Sequence, residues 1–363
     1  MKHFVFSADS HVLEPNTLFL DSLPASLKNH AVYSRKEDGY VIAGTAHKTI
    51  YRIRLGSPDK ARPFVHERRG LNDIAGRMED MAMDGVDAEI CFPTLGLWLY
   101  CLDNADAEAA SCRVYNDWHS NLLGGNLDKF VRCGMLPVRD LSASQEELRY
   151  LASNGFTAAM LPAVVPTGLP KYNDPVWDPV FALAGELEMV LVMHTGTGLA
   201  SVQSERGPGG AIINYSTQAM DAMNTTTYLV AGGVLDRNPK AKVAFIESGA
   251  SWLSAIGERM DEVNEAHDEF VRPRLSLKPS EIINRQIWAS FQHDRACILA
   301  RHSTPNLLFA TDYPHAEGTF PHSRDVVDHL FEGTNASEDE KANILGGNAL
   351  KLFRLPHPVL NPA

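Results

Sequence analysis

The chain has 363 residues, 44% of them hydrophobic, and a formal charge of −12. A chain of that length and apolar content can bury a large core, and one α/β barrel with insertions accounts for it as well as two smaller domains would, so we read residues 1–363 as a single domain. The acidic charge is spread over short segments with no basic stripe, which argues against nucleic acid or a membrane surface as partner and favours a small-molecule substrate.

Short runs rich in Val, Ile and Phe predict strands at about 4–8, 87–92, 131–137, 156–161, 188–193, 242–247, 286–291 and 306–311. Helical patterns lie between them, for example Asp106 to Leu123, Asp174 to Leu187 and Ser251 to His267. Strands alternating with helices imply a parallel sheet, and eight such units predict a distorted (β/α)8 TIM barrel.

Three stretches depart from that alternation. From about 29 to 69, Tyr33, Tyr40-Val41-Ile42 and Thr49-Ile50-Tyr51-Arg52-Ile53 flank Gly39 and Gly44, which reads as a β-hairpin-like insertion after strand 1. Residues 195–217 are rich in Gly, Ser and Pro and directly follow His194, as a lid loop would. Near the end, Ser337-Glu338-Asp339-Glu340 reads as an N-cap and acidic first turn, leading into Ile344, Leu345, Ala349, Leu350 and Phe353. This predicts a docking helix over about 337–353.

The N-terminus lacks a basic region followed by an apolar one, and no apolar stretch approaches the roughly 20 residues that cross a bilayer, so a soluble, cytoplasmic protein is expected. Cys91, Cys101, Cys112, Cys133 and Cys297 are scattered without a C-x-x-C spacing and read as core or near-core thiols, which fits a reducing compartment.

Chemistry concentrates at strand ends. The first strand ends in Asp9 and His11, the fifth in His194 and the eighth in Asp312, all residue types that ligate metals. Two residues apart on an extended strand, Asp9 and His11 face the same side, and in a barrel the C-terminal strand ends converge on one mouth. The alternative is a polar strand end in which Asp9 caps a loop and each histidine is buried and satisfied. Glu247 ends the sixth strand; buried there it needs a cation or a proton, unless it caps the helix that follows. His267 falls on the apolar face of that helix with Trp252, Ile256 and Val263, so it is read as inward-facing, either packed or ligating. His315, three residues beyond Asp312, either orients substrate or bonds a neighbouring loop. No phosphate loop, dinucleotide fingerprint or complete G-x-S-x-G elbow is present, so no nucleotide cofactor is expected.

Five stretches then establish a resemblance: Ala8-Asp9-Ser10-His11-Val12-Leu13-Glu14-Pro15, Met83-Asp84-Gly85-Val86-Asp87-Ala88, Tyr115-Asn116-Asp117-Trp118, Gly232-Gly233-Val234-Leu235-Asp236-Arg237-Asn238-Pro239 and Ala310-Thr311-Asp312-Tyr313-Pro314-His315. The chain resembles the amidohydrolase superfamily, in the branch that looks like aminocarboxymuconate semialdehyde decarboxylase. That resemblance implies a divalent metal, zinc first and iron or manganese next, held by Asp9, His11, His194 and Asp312. Two departures stand out: the branch often carries a histidine where this chain has Glu247, and the fourth strand offers no lysine to bridge two metals.

The leading reading is a metal-dependent hydrolase or decarboxylase acting on a small carboxylated or cyclic substrate. Asp312 moves a proton beside the metal, Glu247 is a second acid/base or an extra ligand, His315 orients substrate, and Glu247 with His267 offers ligands for a second ion. One alternative is a non-haem iron or manganese oxygenase; another is a catalytically silent barrel supporting a homologous partner subunit. The expected assembly is a homo-oligomer or a complex with a homologous partner subunit.

Overall fold

The structure, a computed structural model, describes residues 3–54, 68–198, 205 and 207–356. Its strands in chain order are β1 (Phe6–Ser7), β2 (Tyr33–Glu37), β3 (Tyr40–Gly44), β4 (Thr49–Arg54), β5 (Ala88–Cys91), β6 (Phe130–Met135), β7 (Ala158–Pro162), β8 (Val190–His194), β9 (Lys242–Ile246), β10 (Ile287–Phe291) and β11 (Leu307–Phe309). Eight form one parallel sheet in the order β1-β5-β6-β7-β8-β9-β10-β11. Helices cover that sheet, so β7, β8 and β10 read as near-continuous apolar runs rather than alternating ones.

The sheet curls until its two edge strands meet. Ala8 N donates to Phe309 O at 2.9 Å, Asp312 N to Asp9 O at 2.8 Å and His11 N to Tyr313 O at 2.7 Å. Both edge strands are shorter than the expected 4–8 and 306–311, because side chains replace part of the ladder: Ser7 Oγ accepts from Thr311 N at 2.9 Å. The result is a nearly closed TIM barrel.

Strands β2, β3 and β4 form a separate antiparallel sheet within the 29–69 stretch, one strand more than a hairpin; residues 55–67 lie outside the described residues. Tyr51 of β4 stacks on Trp98 with centroids 4.9 Å apart. Within 195–217, residues 199–204 and 206 lie outside the described residues. The described part is less loop-like than its composition suggests, because Gly209, at φ 75°, starts a helix over Gly210–Thr217. At the other end Ser337 Oγ accepts from Glu340 N and the Glu340 carboxylate accepts from Ser337 N, a reciprocal cap. The helical turns that follow bury Ile344, Leu345, Ala349, Leu352 and Phe353, and Phe353 stacks on Phe6 at 5.8 Å.

The helix Trp252–Ala266 corrects one expectation. A helix following a barrel strand runs back toward the opposite face, and 15 residues carry the chain about 22 Å. Its apolar stripe accordingly fades from buried Trp252 to exposed Val263, and His267, just past its end, is exposed. His267 is neither inward-facing nor part of any cluster of ligand-type side chains among the described residues.

Candidate metal centre

Parallel register sets the level of each strand end. Pro162 pairs with His194 and His194 with Ile246, so Glu247 emerges one residue above His194 on the neighbouring strand. Across the closure, the bond from Asp312 N to Asp9 O puts the ends of the first and last strands together. Glu247 and Asp312 both adopt left-handed backbone, with φ 59° and 52°, a conformation that costs non-glycine residues energy and recurs at functional sites.

Both histidines are oriented by backbone carbonyls. His11 Nδ1 lies 2.9 Å from Pro93 O, and His194 Nδ1 2.9 Å from Thr195 O, so each Nδ1 carries the proton and each Nε2 presents a lone pair. The Pro93 loop is itself tied down: buried Glu14 accepts from the backbone N–H groups of Thr94, Leu95 and Gly96 at 2.8–3.0 Å.

The two Nε2 atoms stand 3.2 Å apart. Asp9 Oδ1 is 3.6 Å from each, and Asp312 Oδ1 is 3.8 Å from that of His11. All four side chains are buried. Asp9 Oδ1 and Oδ2 and Asp312 Oδ2 have no hydrogen-bond partner among the described residues. Buried carboxylate oxygens without donors are costly, and so are facing lone pairs. Donors held about 2.1 Å from one cation sit roughly 3.0–3.5 Å from their neighbours, close to the spacings seen, so the residues present fit a divalent metal.

Charge crowding acts on the neighbours. Burial, then the positive character of His315 and His194, holds His11 well below the usual histidine range. For His194 burial pulls downward, but the Asp9 and Glu247 carboxylates outweigh it and raise the imidazole. Burial, then Asp312, raises Glu247 well above the carboxylate range; burial, then Asp9 and Glu317, does the same to Asp312.

Glu247 Oε2 lies 3.7 Å from His194 Nε2. It does not cap the next helix, because Asp294 Oδ2 takes that role, accepting from Ala250 N at 2.9 Å and Ser251 N at 2.7 Å. His315 Nδ1 lies 2.8 Å from Asp312 Oδ1, and its ring sits 4.4 Å from that of His11. Tyr215, on the helix Gly210–Thr217 within the 195–217 stretch, is close enough to the mouth that burial, then Glu317, pushes its hydroxyl up to about 12.

Sequence reasoning missed the supports beneath this cluster. Arg77 is fully buried, bonds Glu89 Oε1 at 2.6 Å, and donates to His11 O at 2.9 Å and Gly70 O at 3.1 Å. Its guanidinium lies 4.1 Å from the Tyr313 ring, whose hydroxyl donates to Asp80 Oδ2 at 2.6 Å. A signal was available: Glu89 interrupts the otherwise apolar β5, and Arg77, Asp80 and Asp84 share the buried face of helix Ile74–Asp84 with Met81. Arg77→Met should destabilise the fold by about 3–5 kcal/mol, the usual cost of leaving one buried charge unpaired, as read by chemical denaturation. Arg77→Met with Glu89→Met should recover most of that loss. Metal affinity should remain weakened in the double variant, because nothing then holds the His11 carbonyl.

A family profile described as amidohydrolase matches residues 30–355. Among curated proteins, a 2-amino-3-carboxymuconate-6-semialdehyde decarboxylase from Dictyostelium discoideum is 24% identical over 297 residues, 77% of this chain and 76% of the relative. Among solved structures, an amidohydrolase from Mycobacterium avium subsp. paratuberculosis superposes with a TM-score of 0.80 at 17% identity, covering 97% of this chain and 98% of the other. A dihydroxybenzoic acid decarboxylase from a Polaromonas species, solved with manganese and the inhibitor 2-nitroresorcinol, does so with a TM-score of 0.68 at 19% identity over 97% of each chain.

Proposed function

The chain belongs to the amidohydrolase family, and from that premise we propose that it is a metal-dependent decarboxylase of a small carboxylated aromatic or cyclic acid. The observation that carries the metal is the cluster of Asp9, His11 and His194, joined to Asp312 through His11, with buried, unpartnered oxygens and facing lone pairs. The named relatives favour decarboxylation over hydrolysis.

Asp9, His11, His194 and Asp312 would hold the ion. When bound there, a divalent cation supplies a Lewis acid for a substrate oxygen. Two imidazoles with two carboxylates suit zinc and manganese alike. The protein's own groups do the rest. Release of carbon dioxide leaves an electron pair on the ring carbon, which must take a proton. Glu247 Oε2, whose carboxyl burial pushes well above the usual carboxylate range and so toward the proton-bearing form, is the donor we assign. His315, braced on Asp312, orients the substrate at the exposed side of the centre. Large exposed apolar side chains such as Ile212 and Phe270 support a homo-oligomer, which light scattering would test.

The test is carbon dioxide release from a panel of hydroxybenzoates and carboxymuconate-type acids, run with protein purified without chelator and with the same protein stripped of metal. Release that depends on the metal supports the reading. Turnover of amides or lactones without carbon dioxide would replace it with hydrolysis, and oxygen consumption would replace it with oxygenation.

A further inference from the structure

We propose that Glu14 is a positioning residue for the metal centre: by clamping the loop that presents Pro93 O, it holds His11 in the tautomer whose Nε2 can ligate. The inference rests on the metal reading above and not on the reaction assigned to it. Glu14 lies in the stretch Ala8–Pro15 that carries the family resemblance, beside Asp9 and His11. Unlike them it belongs to no cluster of ligand-type side chains among the described residues.

The chain leaving β1 and the loop leaving β5 are strapped together. Val12 N donates to Phe92 O at 3.0 Å, and Thr94 Oγ1 donates to Val12 O at 2.9 Å. On one side of that strap, His11 Nδ1 lies 2.9 Å from Pro93 O. On the other, Glu14 Oε2 accepts from Thr94 N at 3.0 Å and Leu95 N at 2.9 Å, and Oε1 accepts from Gly96 N at 2.8 Å. His11 and Glu14 thus hold the same short loop from two sides. Glu14 is buried, so these N–H groups take the place of water around its carboxylate. Burial raises the carboxyl above its ordinary 4.5, and the N–H groups pull it back by favouring the charged form.

The loop has little else to fix it locally. Pro93 has no N–H, and Thr94, Leu95 and Gly96 offer three consecutive N–H groups at the start of the short helix Gly96–Cys101. With the carboxylate gone those groups lose their acceptor, the loop can shift, and Pro93 O no longer fixes the imidazole. A neutral imidazole released in this way can carry its proton on Nε2, which then cannot bind a cation. His194 provides the contrast: its acceptor is the carbonyl of its own neighbour, Thr195, and Thr197 Oγ1 donates to His194 O at 2.5 Å. The clamp therefore acts on one histidine and not on the other. Packing against the loop is tight as well. A Cβ at Gly96 would lie 2.8 Å from Pro93 Cβ and 3.2 Å from Glu14 Oε1.

The experiment takes two readings on the chelator-stripped full chain. One is the position of the imidazole proton, by nuclear magnetic resonance of isotope-labelled histidines assigned with His11→Gln and His194→Gln. The other is affinity for Mn2+, by electron paramagnetic resonance of the free ion. In the wild type the His11 proton should sit on Nδ1. In Glu14→Gln, which sets an amide donor among the three N–H groups, His11 should move toward the Nε2–H form while the His194 signal stays as in the wild type. Mn2+ should then bind about 10–100-fold more weakly, the usual cost of losing a partner behind a ligand. Gly96→Ala, which keeps Glu14 and pushes on Pro93, should move both readings the same way, and it decides the matter if Glu14→Gln does not fold. An unchanged His11 signal in a folded variant overturns the proposal even where affinity falls, because that pattern belongs to a purely structural role. A shifted His11 with unchanged affinity, or equal shifts of His11 and His194, overturns it too. A wild type that takes no Mn2+ overturns the metal reading instead, and the His11 signal of the metal-free chain still decides whether Glu14 sets the tautomer.

Discussion

Asp312→Asn is expected to abolish tight metal binding and, with it, turnover. Asparagine is nearly the same shape and is among the few residues that tolerate left-handed backbone, so the φ of 52° should survive and the effect should report charge rather than misfolding. Metal affinity should fall by more than about 100-fold, since a ligand rather than an outer-shell partner is lost.

Thermal unfolding gives the opposing sign without metal. Burial and Asp9 raise the Asp312 carboxyl above its ordinary 3.8. A raised acid contributes stability that is fully present below its unfolded pKa and is lost as pH rises through the folded one. The metal-free wild type should therefore lose stability as pH rises, and metal-free Asp312→Asn should lose less. Adding metal should reverse the order: an ion at roughly a thousand times its dissociation constant stabilises by about 4 kcal/mol, and only the wild type should gain it. Equal metal-induced stabilisation of both proteins would remove Asp312 from the ligand set.

Glu247→Gln should lower turnover by roughly 10²–10⁴-fold, the range typical of lost acid–base catalysis, while the metal is retained. The substitution keeps shape and backbone strain. Helix capping is not disturbed, because Asp294 performs it. Full activity with full metal content would leave the buried carboxyl without a chemical role and would move the proton donor to another group. Metal analysis beside the rate distinguishes loss of the donor from loss of an ion.

The expectations that hold and those that fail divide along a physical line. A parallel barrel strand is buried on both faces, so it must be written as a short apolar run. That is why Val190-Leu191-Val192-Met193 and Lys242-Val243-Ala244-Phe245-Ile246 were legible as strands, and why a polar residue ending such a run marked its upper end. Asp9, His11, His194, Glu247 and Asp312 could be named on that basis, and strand register then places them at one mouth. His267 shows the limit: helical periodicity says which side of a helix is apolar, not how far along its axis the core extends, and this helix has left the core by its last turn. Arg77, Asp80 and Glu89 show another, because a buried charge looks like a surface charge until its partner, supplied by a different element, is known. Local patterning alone thus determined the barrel and which residues end its strands, since those depend on neighbours along the chain. The distances among those strand ends, the His11 and His194 tautomers and the approach of Glu247 to His194 were decided only by tertiary structure, because each depends on how segments far apart in the chain close into one ring.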